Sequence, residues 1–361
     1  MNELAIYIHW PFCKSKCPYC DFFKQVNPHA DQDKIVAEYI EALGKYNDLT
    51  SDHTIKSIFF GGGTPSLMKP QNVAKIIDYI AKKWPISSNI EISLEANPNS
   101  HYANMLLSLK NAGINRLSLG IQALNDDDLR FLGRTHNLAL ARQCLEETVK
   151  VFSNHSADLI YARPMQTLEK WQEELAEICN YGLKHISLYQ LTIEEGTVFA
   201  RKNVQSLDED AAINMYNMTR LFLEDHRYKQ YEVSNFAEKG YESRHNLTYW
   251  QGGEYLGIGA SAHGRLHLNG QNIATEYPFV HTVLSPEERA EELIIMGLRL
   301  TDGIAKADFH QICGLQLTEF VNPKYLDELK ELHLLEETET HLRPTKSGML
   351  VLNQVISQLC S

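Results

Sequence analysis

At 361 residues the chain has room for one large α/β domain with a smaller companion, or for two equal domains. Its 43% hydrophobic, 22% charged and 9% aromatic residues exclude a disordered or fibrous chain. With 34 Lys and Arg against 46 Asp and Glu the net charge is −12, which excludes the broad basic face of a sequence-independent nucleic-acid binder.

The opening, MNELAIYIHWPF, has no basic region before its short apolar run, and no later stretch approaches the roughly 18 apolar residues of a spanning helix. The expectation is a cytoplasmic protein that is not integral to a membrane. Seven cysteines, an odd number without an export signal, are expected as reduced thiols rather than a disulfide framework.

In chain order, short apolar, β-branched runs occur at 4–9, 57–60, 90–94, 116–119, 157–161 and 185–191, with helical patterns between them. Spacings of about 30 residues suit repeated strand–helix–strand units, and right-handed repetition gives a parallel sheet or barrel. Six strands predict an incomplete α/β barrel, a partial (β/α)6 arrangement, over residues 1–204. Residues 205–284 then hold a helix over 211–223 and a Gly- and aromatic-rich stretch, 231–268, without an assignable period. A small α-rich C-terminal unit, winged-helix-like, is expected over 285–361, opened by Ser285 as cap, Pro286 at the first helical position and Glu288 completing a capping box.

The strongest chemical signal follows the first strand: Cys13-Lys-Ser-Lys-Cys17-Pro-Tyr-Cys20. Three thiolates within eight residues point to a metal centre. A structural zinc wants a fourth ligand, and neither His9 nor His29 has typical spacing. A four-iron cluster uses three thiolates for three irons and leaves the fourth iron open to an outside ligand. The run Tyr7-Ile-His-Trp-Pro-Phe-Cys13 through Cys20-Asp-Phe22 resembles the opening of the radical S-adenosylmethionine superfamily, in the branch that holds oxygen-independent coproporphyrinogen III oxidase and its heme-chaperone relatives. The resemblance implies a [4Fe-4S] cluster on Cys13, Cys17 and Cys20, whose open iron is chelated by S-adenosylmethionine and whose electron cleaves the sulfonium to a 5′-deoxyadenosyl radical.

Further residues extend this resemblance. Gly61-Gly62-Gly63-Thr64-Pro65 follows the second strand, lacks the Gly-Lys-Ser/Thr of a phosphate-binding loop and resembles the family's methionine-binding loop. Glu95, Gln122 and Gln190 place polar groups at successive strand ends, where barrel active sites are built. The resemblance assigns Tyr7, Tyr19, Gly62, Gly63, Thr64, Glu95, Gln122, Arg134 and Asp158 to S-adenosylmethionine, with Arg134 a bidentate partner for its carboxylate. One departure is Ala162-Arg-Pro-Met165-Gln-Thr, where the family often has Gly-Leu-Pro-Gly-Gln-Thr. Cys144, Cys179, Cys313 and Cys360 read as small apolar residues in helical patterns.

Within the branch, the oxidase carries a fourth cysteine where this chain has Phe22, and a sizeable extension before a cluster that here starts at residue 13. Ser243-Arg-His245-Asn246-Leu-Thr-Tyr249-Trp250 instead matches the HNxxYW signature of the chaperone branch. The resemblance therefore implies a protein that binds heme and hands it to acceptor hemoproteins, including respiratory ones at the membrane, with no nucleic-acid partner and a homodimer among its allowed assemblies. His245 is the candidate axial ligand and Tyr249 and Trp250 candidate cover for the macrocycle. Against this stands a purely structural reading, in which His245 and Asn246 hydrogen-bond a turn while Tyr249 and Trp250 pack inside. The alternative function is the oxidase reaction, radical decarboxylation of coproporphyrinogen III to protoporphyrinogen IX.

Overall fold

The computed structural model describes residues 2–27, 29–99 and 102–360. All six expected strands form: β1 (Glu3–Trp10), β2 (Thr54–Gly62), β3 (Ile86–Ala96), β4 (Arg116–Gln122), β5 (Asn154–Tyr161) and β6 (His185–Gln190). They pair in parallel in that order. Between them run α1 (Gln32–Thr50), α2 (Pro70–Lys83), α3 (Tyr102–Asn111), α4 (Leu138–Val151) and α5 (Leu168–Cys179). After β6 comes α6 (Glu209–Asp225), where the sequence pattern anticipates a helix.

Side-chain alternation divides each strand between two environments. Ile6, Ile8, Ile58, Phe60, Leu94, Leu117, Leu119, Leu159 and Ile186 are buried in one core with Leu43, Ile76, Leu106, Leu145 and Leu175 of the helices. Each such burial contributes about 1.5–3 kcal/mol. The alternate residues are polar: Ser57 faces Glu91 in register, Ser93 faces Arg116, Glu95 faces Ser118, and Ser156 faces His185. A closed eight-stranded barrel packs this interior with bulky aliphatic side chains. Here short and charged side chains leave it polar.

The sheet does not close on itself. Strand β7 (Asn235–Ala237) adds antiparallel to β6, and β8 (Glu254–Ile258) adds parallel to the outer side of β1. The short helix α7 (Arg244–Trp250), capped by Ser243, lies between these two additions along the chain and docks its inner side chains on the lumen wall. Two hydrogen-bonded relays line this interior, and the second of them ties α7 to it. Ser156 Oγ meets His185 Nδ1 at 2.7 Å and His185 Nε2 meets the Tyr231 hydroxyl at 2.8 Å. Ser57 Oγ meets His245 Nδ1 at 2.9 Å, while His245 Nε2 bonds the Tyr249 hydroxyl.

Three further strands, β9 (His263–Leu268), β10 (Gln271–Glu276) and β11 (Val280–Leu284), extend the sheet as an antiparallel meander. Then α8 (Pro286–Gly297) opens a separate C-terminal core with the expected capping box: the Glu288 amide donates to Ser285 Oγ at 3.1 Å and the Ser285 amide to Glu288 Oε2 at 2.8 Å.

Candidate functional site

A cavity of about 420 Å³ opens at the carboxyl ends of the strands, lined by Cys13, Cys17 and Cys20 on one side and by Glu95, Gln122, Asp158 and Gln190 on the other. The cysteine loop is pinned at both ends. The Gln25 amide donates to the Pro11 carbonyl at 2.7 Å, and Phe12–Cys13 pairs with Gln25–Val26. Amides of Gly63 and Thr64 donate to the Trp10 and Phe12 carbonyls at 2.7 and 2.9 Å, joining the glycine loop to the cysteine loop. A Cβ on Gly63 would lie 2.8–2.9 Å from the backbone of residues 10–12, so the approach admits only glycine.

Arg134 faces the thiols. Its Nη1 lies 3.5 Å from Cys17 Sγ and 3.4 Å from the Tyr19 hydroxyl; its Nη2 donates to the Gly120 carbonyl at 3.0 Å and to Asn97 Oδ1. Thr64 Oγ1 in turn lies 3.5 Å from Cys13 Sγ and accepts from Asn97 Nδ2 at 3.3 Å. Deeper in, Ser118 Oγ donates to Asp158 Oδ1 at 2.9 Å. Burial pushes the Glu95 carboxyl up to about 8, the neighbouring Asp158 charge adding to it, against the pull of the Gly62 amide and Arg116. Asp158 is raised too, chiefly by burial. Two desolvated carboxyls at the bottom of a cavity suit a ligand with a cationic end.

Residues 7–187 match the family model of the Radical SAM superfamily, and 284–351 match that of the HemN C-terminal domain. This chain belongs to the radical SAM superfamily. It is 36% identical to the mouse mitochondrial radical S-adenosyl methionine domain-containing protein 1, over 99% of this chain and 87% of that one. It is 34% identical to the Haemophilus influenzae protein named heme chaperone HemW (99% and 97% covered) and 35% to the Bacillus subtilis one (97% and 97%). Among solved structures, coproporphyrinogen III oxidase HemN of Escherichia coli superposes with a TM-score of 0.83 at 19% identity, covering 100% of this chain and 90% of that one, which shows the shared fold.

The superfamily implies a [4Fe-4S] cluster and S-adenosylmethionine, and the cavity residues fit both. All three thiols are free. Among the described residues no three His, Cys, Asp or Glu side chains are placed to hold a single metal ion; a four-iron cage instead takes one thiolate per iron, so its ligands surround a volume rather than a point. The buried Arg134 Nε has no partner within the protein and remains a donor for an anionic group. Tyr19, Gly62, Gly63, Thr64, Glu95, Gln122, Arg134, Asp158 and Gln190 all line the cavity. Tyr7 is not among the lining residues: it lies beneath, its hydroxyl 3.2 Å from His9 Nδ1 and its ring against Phe59 and His245. Arg134 is turned to Cys17 and Tyr19, so the Nε edge is what it offers a carboxylate.

His245, Tyr249 and Trp250 are not brought to this cavity, none of whose lining residues lies beyond Glu194. His245 is 1% exposed, stacks on Phe59 with centroids 4.9 Å apart, and has both ring nitrogens engaged. Burial, helped by Lys56 and Arg116, lowers its pKa to about 3, so the imidazole is neutral. Tyr249 packs on Tyr255 with centroids 4.4 Å apart, and Arg299 stands 5.9 Å over Trp250.

The departure at 162–167 has left-handed backbone at both positions where the family often has glycine: Ala162 and Met165 have φ of +55° and +64°. Arg163, fully buried, holds the loop through Glu174, Asp128 at 3.0 Å and the Ile160 carbonyl at 2.7 Å. Sequence reasoning missed Asn97 and Tyr189 as cavity residues. The signal for Asn97 was its period-2 step from Glu95, which carries a strand's inward face past its end.

Proposed function

We propose that this radical SAM protein is a heme chaperone: it binds heme and passes it to acceptor hemoproteins, with a [4Fe-4S] cluster on Cys13, Cys17 and Cys20 and S-adenosylmethionine in the adjoining cavity. The observation that carries the reading is end-to-end similarity to proteins named heme chaperone HemW. Phe22 supports it: a 65% exposed phenyl stands at the cavity rim, at the position that the resemblance gives to a fourth cysteine in the oxidase. Phe23 and Val26 continue an exposed apolar strip beside Lys24, which suits a flat macrocycle with carboxylate substituents.

When bound, the cluster supplies the electron that breaks the S-adenosylmethionine sulfonium. The protein's own part is to hold the thiols through the paired Gln25–Val26 return, to bind a cation on Glu95 and Asp158, and to bind an anion on Arg134. His245 serves as an iron ligand only in an opened state in which Tyr249 releases Nε2 and α7 leaves the lumen; in the closed state it is a plug residue.

Anaerobic heme titration of cluster-reconstituted protein tests the reading. Stoichiometric binding with a Soret band altered in His245→Ala supports chaperoning through that histidine. Weak, non-saturating binding by both proteins, with protoporphyrinogen IX formed from coproporphyrinogen III, replaces it with the oxidase activity.

A further inference from the structure

A second cavity, of about 530 Å³, shares no lining residue with the first. It lies between α6 with the residues that follow it and the C-terminal core, whose strands Leu335–Glu337 and His341–Pro344 pair antiparallel at its edge. Four cations line it, Arg220, Lys229, Arg343 and Lys346, against the two carboxylates Glu224 and Glu336. The chain as a whole has a net charge of −12, so this local surplus runs against its composition. Glu336 is committed to Arg343, its Oε1 accepting from Nη2 at 2.9 Å and its Oε2 from Nε at 3.2 Å. Glu224 stands 3.9 Å from Arg220 Nη1, beyond hydrogen-bonding distance, and is 62% exposed where the Arg220 side chain is only 18% exposed. Among the described residues, the side chains of Arg220, Lys229 and Lys346 have no hydrogen-bond acceptor.

The neutral polar groups of the cavity are already satisfied within the protein. Gln230 Nε2 donates to the Tyr216 hydroxyl at 2.9 Å and to the Val233 carbonyl at 3.3 Å, and the Tyr228 hydroxyl donates to the Leu183 carbonyl at 2.8 Å. The unspent hydrogen-bonding capacity is therefore cationic. A guanidinium largely withdrawn from water without an acceptor is costly, and like charges around one cavity repel. An anion that enters offsets both. Arg220 presents a planar fork that takes two oxygens of one group, while Lys229 and Lys346 are point charges on flexible stems. Three uncommitted cations suit a phosphoryl group, which concentrates nearly two negative charges on its oxygens. The volume is more than a bare phosphate fills and falls in the range of small-molecule sites, and Tyr216, Tyr228 and Met349 line the remainder with rings and a thioether.

We propose that this cavity is a second ligand site, for a small organic phosphate held by Arg220, Lys229 and Lys346 between α6 and the C-terminal core. The test is isothermal titration of cluster-reconstituted full-length protein with phenyl phosphate, which joins a phosphoryl dianion to an aromatic body, and with benzoate as the monoanionic comparison. Saturable binding of one phenyl phosphate per chain, tighter than that of benzoate, is expected for the wild type. Arg220→Gln is expected to weaken it about tenfold or more, the usual loss for a charged hydrogen-bond partner, and Lys45→Gln, an exposed lysine paired with Glu41 on α1, to leave it unchanged. Should circular dichroism show that Arg220→Gln does not fold, the exposed pair Lys229→Gln/Lys346→Gln takes its place and is expected to weaken binding severalfold, more so at low salt. Equal affinity of the wild type and a folded variant, or no saturation of the wild type by about 10 mM phenyl phosphate, overturns the site. Benzoate binding as tightly as phenyl phosphate overturns the phosphoryl assignment. Sedimentation of the wild type, but not of Arg220→Gln, with phosphatidic acid vesicles in the absence of phenyl phosphate binding overturns a free ligand in favour of a lipid headgroup.

Discussion

Gly63 shows how a single residue joins the two loops of the site. Its amide bonds Trp10 and its absent Cβ would press on backbone that has no rotamer to change. Gly63→Ala is expected to cost about 1–3 kcal/mol as an overpacked contact and to reduce iron uptake by the adjacent thiols. Urea unfolding and iron content check both; wild-type values in each would contradict the account. Met165 is the opposite case, a left-handed residue whose side chain is 89% exposed and so loses little by removal. Met165→Gly exchanges backbone strain of about 1–2 kcal/mol for the greater unfolded-state entropy of glycine, and a rise in thermal midpoint is expected. A fall would mean that the thioether makes a stabilising contact.

The elements were unequally legible in the sequence. Strand runs such as 116–119 stood out because their outward Leu117 and Leu119 recur at the strand's period of two and are buried in the core shared with the helices. The inward Ser57, Glu91 and Arg116 gave no such signal: a polar residue alternating with apolar ones reads as solvent-facing, and only the docking of α7 against that face puts it inside. Helix α7 has seven residues, too few for a 3.6-residue period to show, and β8 lies in a glycine-rich run. The HNxxYW motif was therefore visible as chemistry before its place was: His245 bonds Ser57 on a strand and Tyr249 of its own helix rather than a turn. If α7 plugs the lumen as its contacts indicate, Tyr249→Phe leaves His245 Nε2 unpaired in a dry site and should cost about 1–3 kcal/mol. Unchanged chemical stability would show that the relay does not hold the helix.

For the whole molecule, buried groups such as His245 and Glu95 set opposing pH limits, with Glu232, raised to about 7 by burial, acting on the same side as Glu95. His245 titrates near 3 in the fold and near 6.5 when unfolded, so its contribution is complete above 6.5 and is lost as pH falls toward 3. Glu95 titrates near 8 in the fold against 4.5 unfolded, so protonation stabilises the fold below 4.5 and that stability is lost as pH rises toward 8. Unfolding free energy of the cofactor-free protein is therefore expected to decline from mildly acid toward alkaline pH, and Glu95→Gln to flatten that alkaline limb in part while sparing the acid one. An alkaline limb of wild-type slope in Glu95→Gln would assign the titration elsewhere.

The central place of β1 also has a consequence in time. Its partners are β2, made soon after it, and β8, which begins 244 residues later than the end of β1 (254 − 10). At the usual 5–20 residues per second, a ribosome takes roughly 12–50 s to deliver that second neighbour. Until then the nascent chain shows a bare strand edge and an unplugged polar lumen. The interval before residue 254 emerges is when this protein is most exposed to mispairing and most in need of being held apart from other chains.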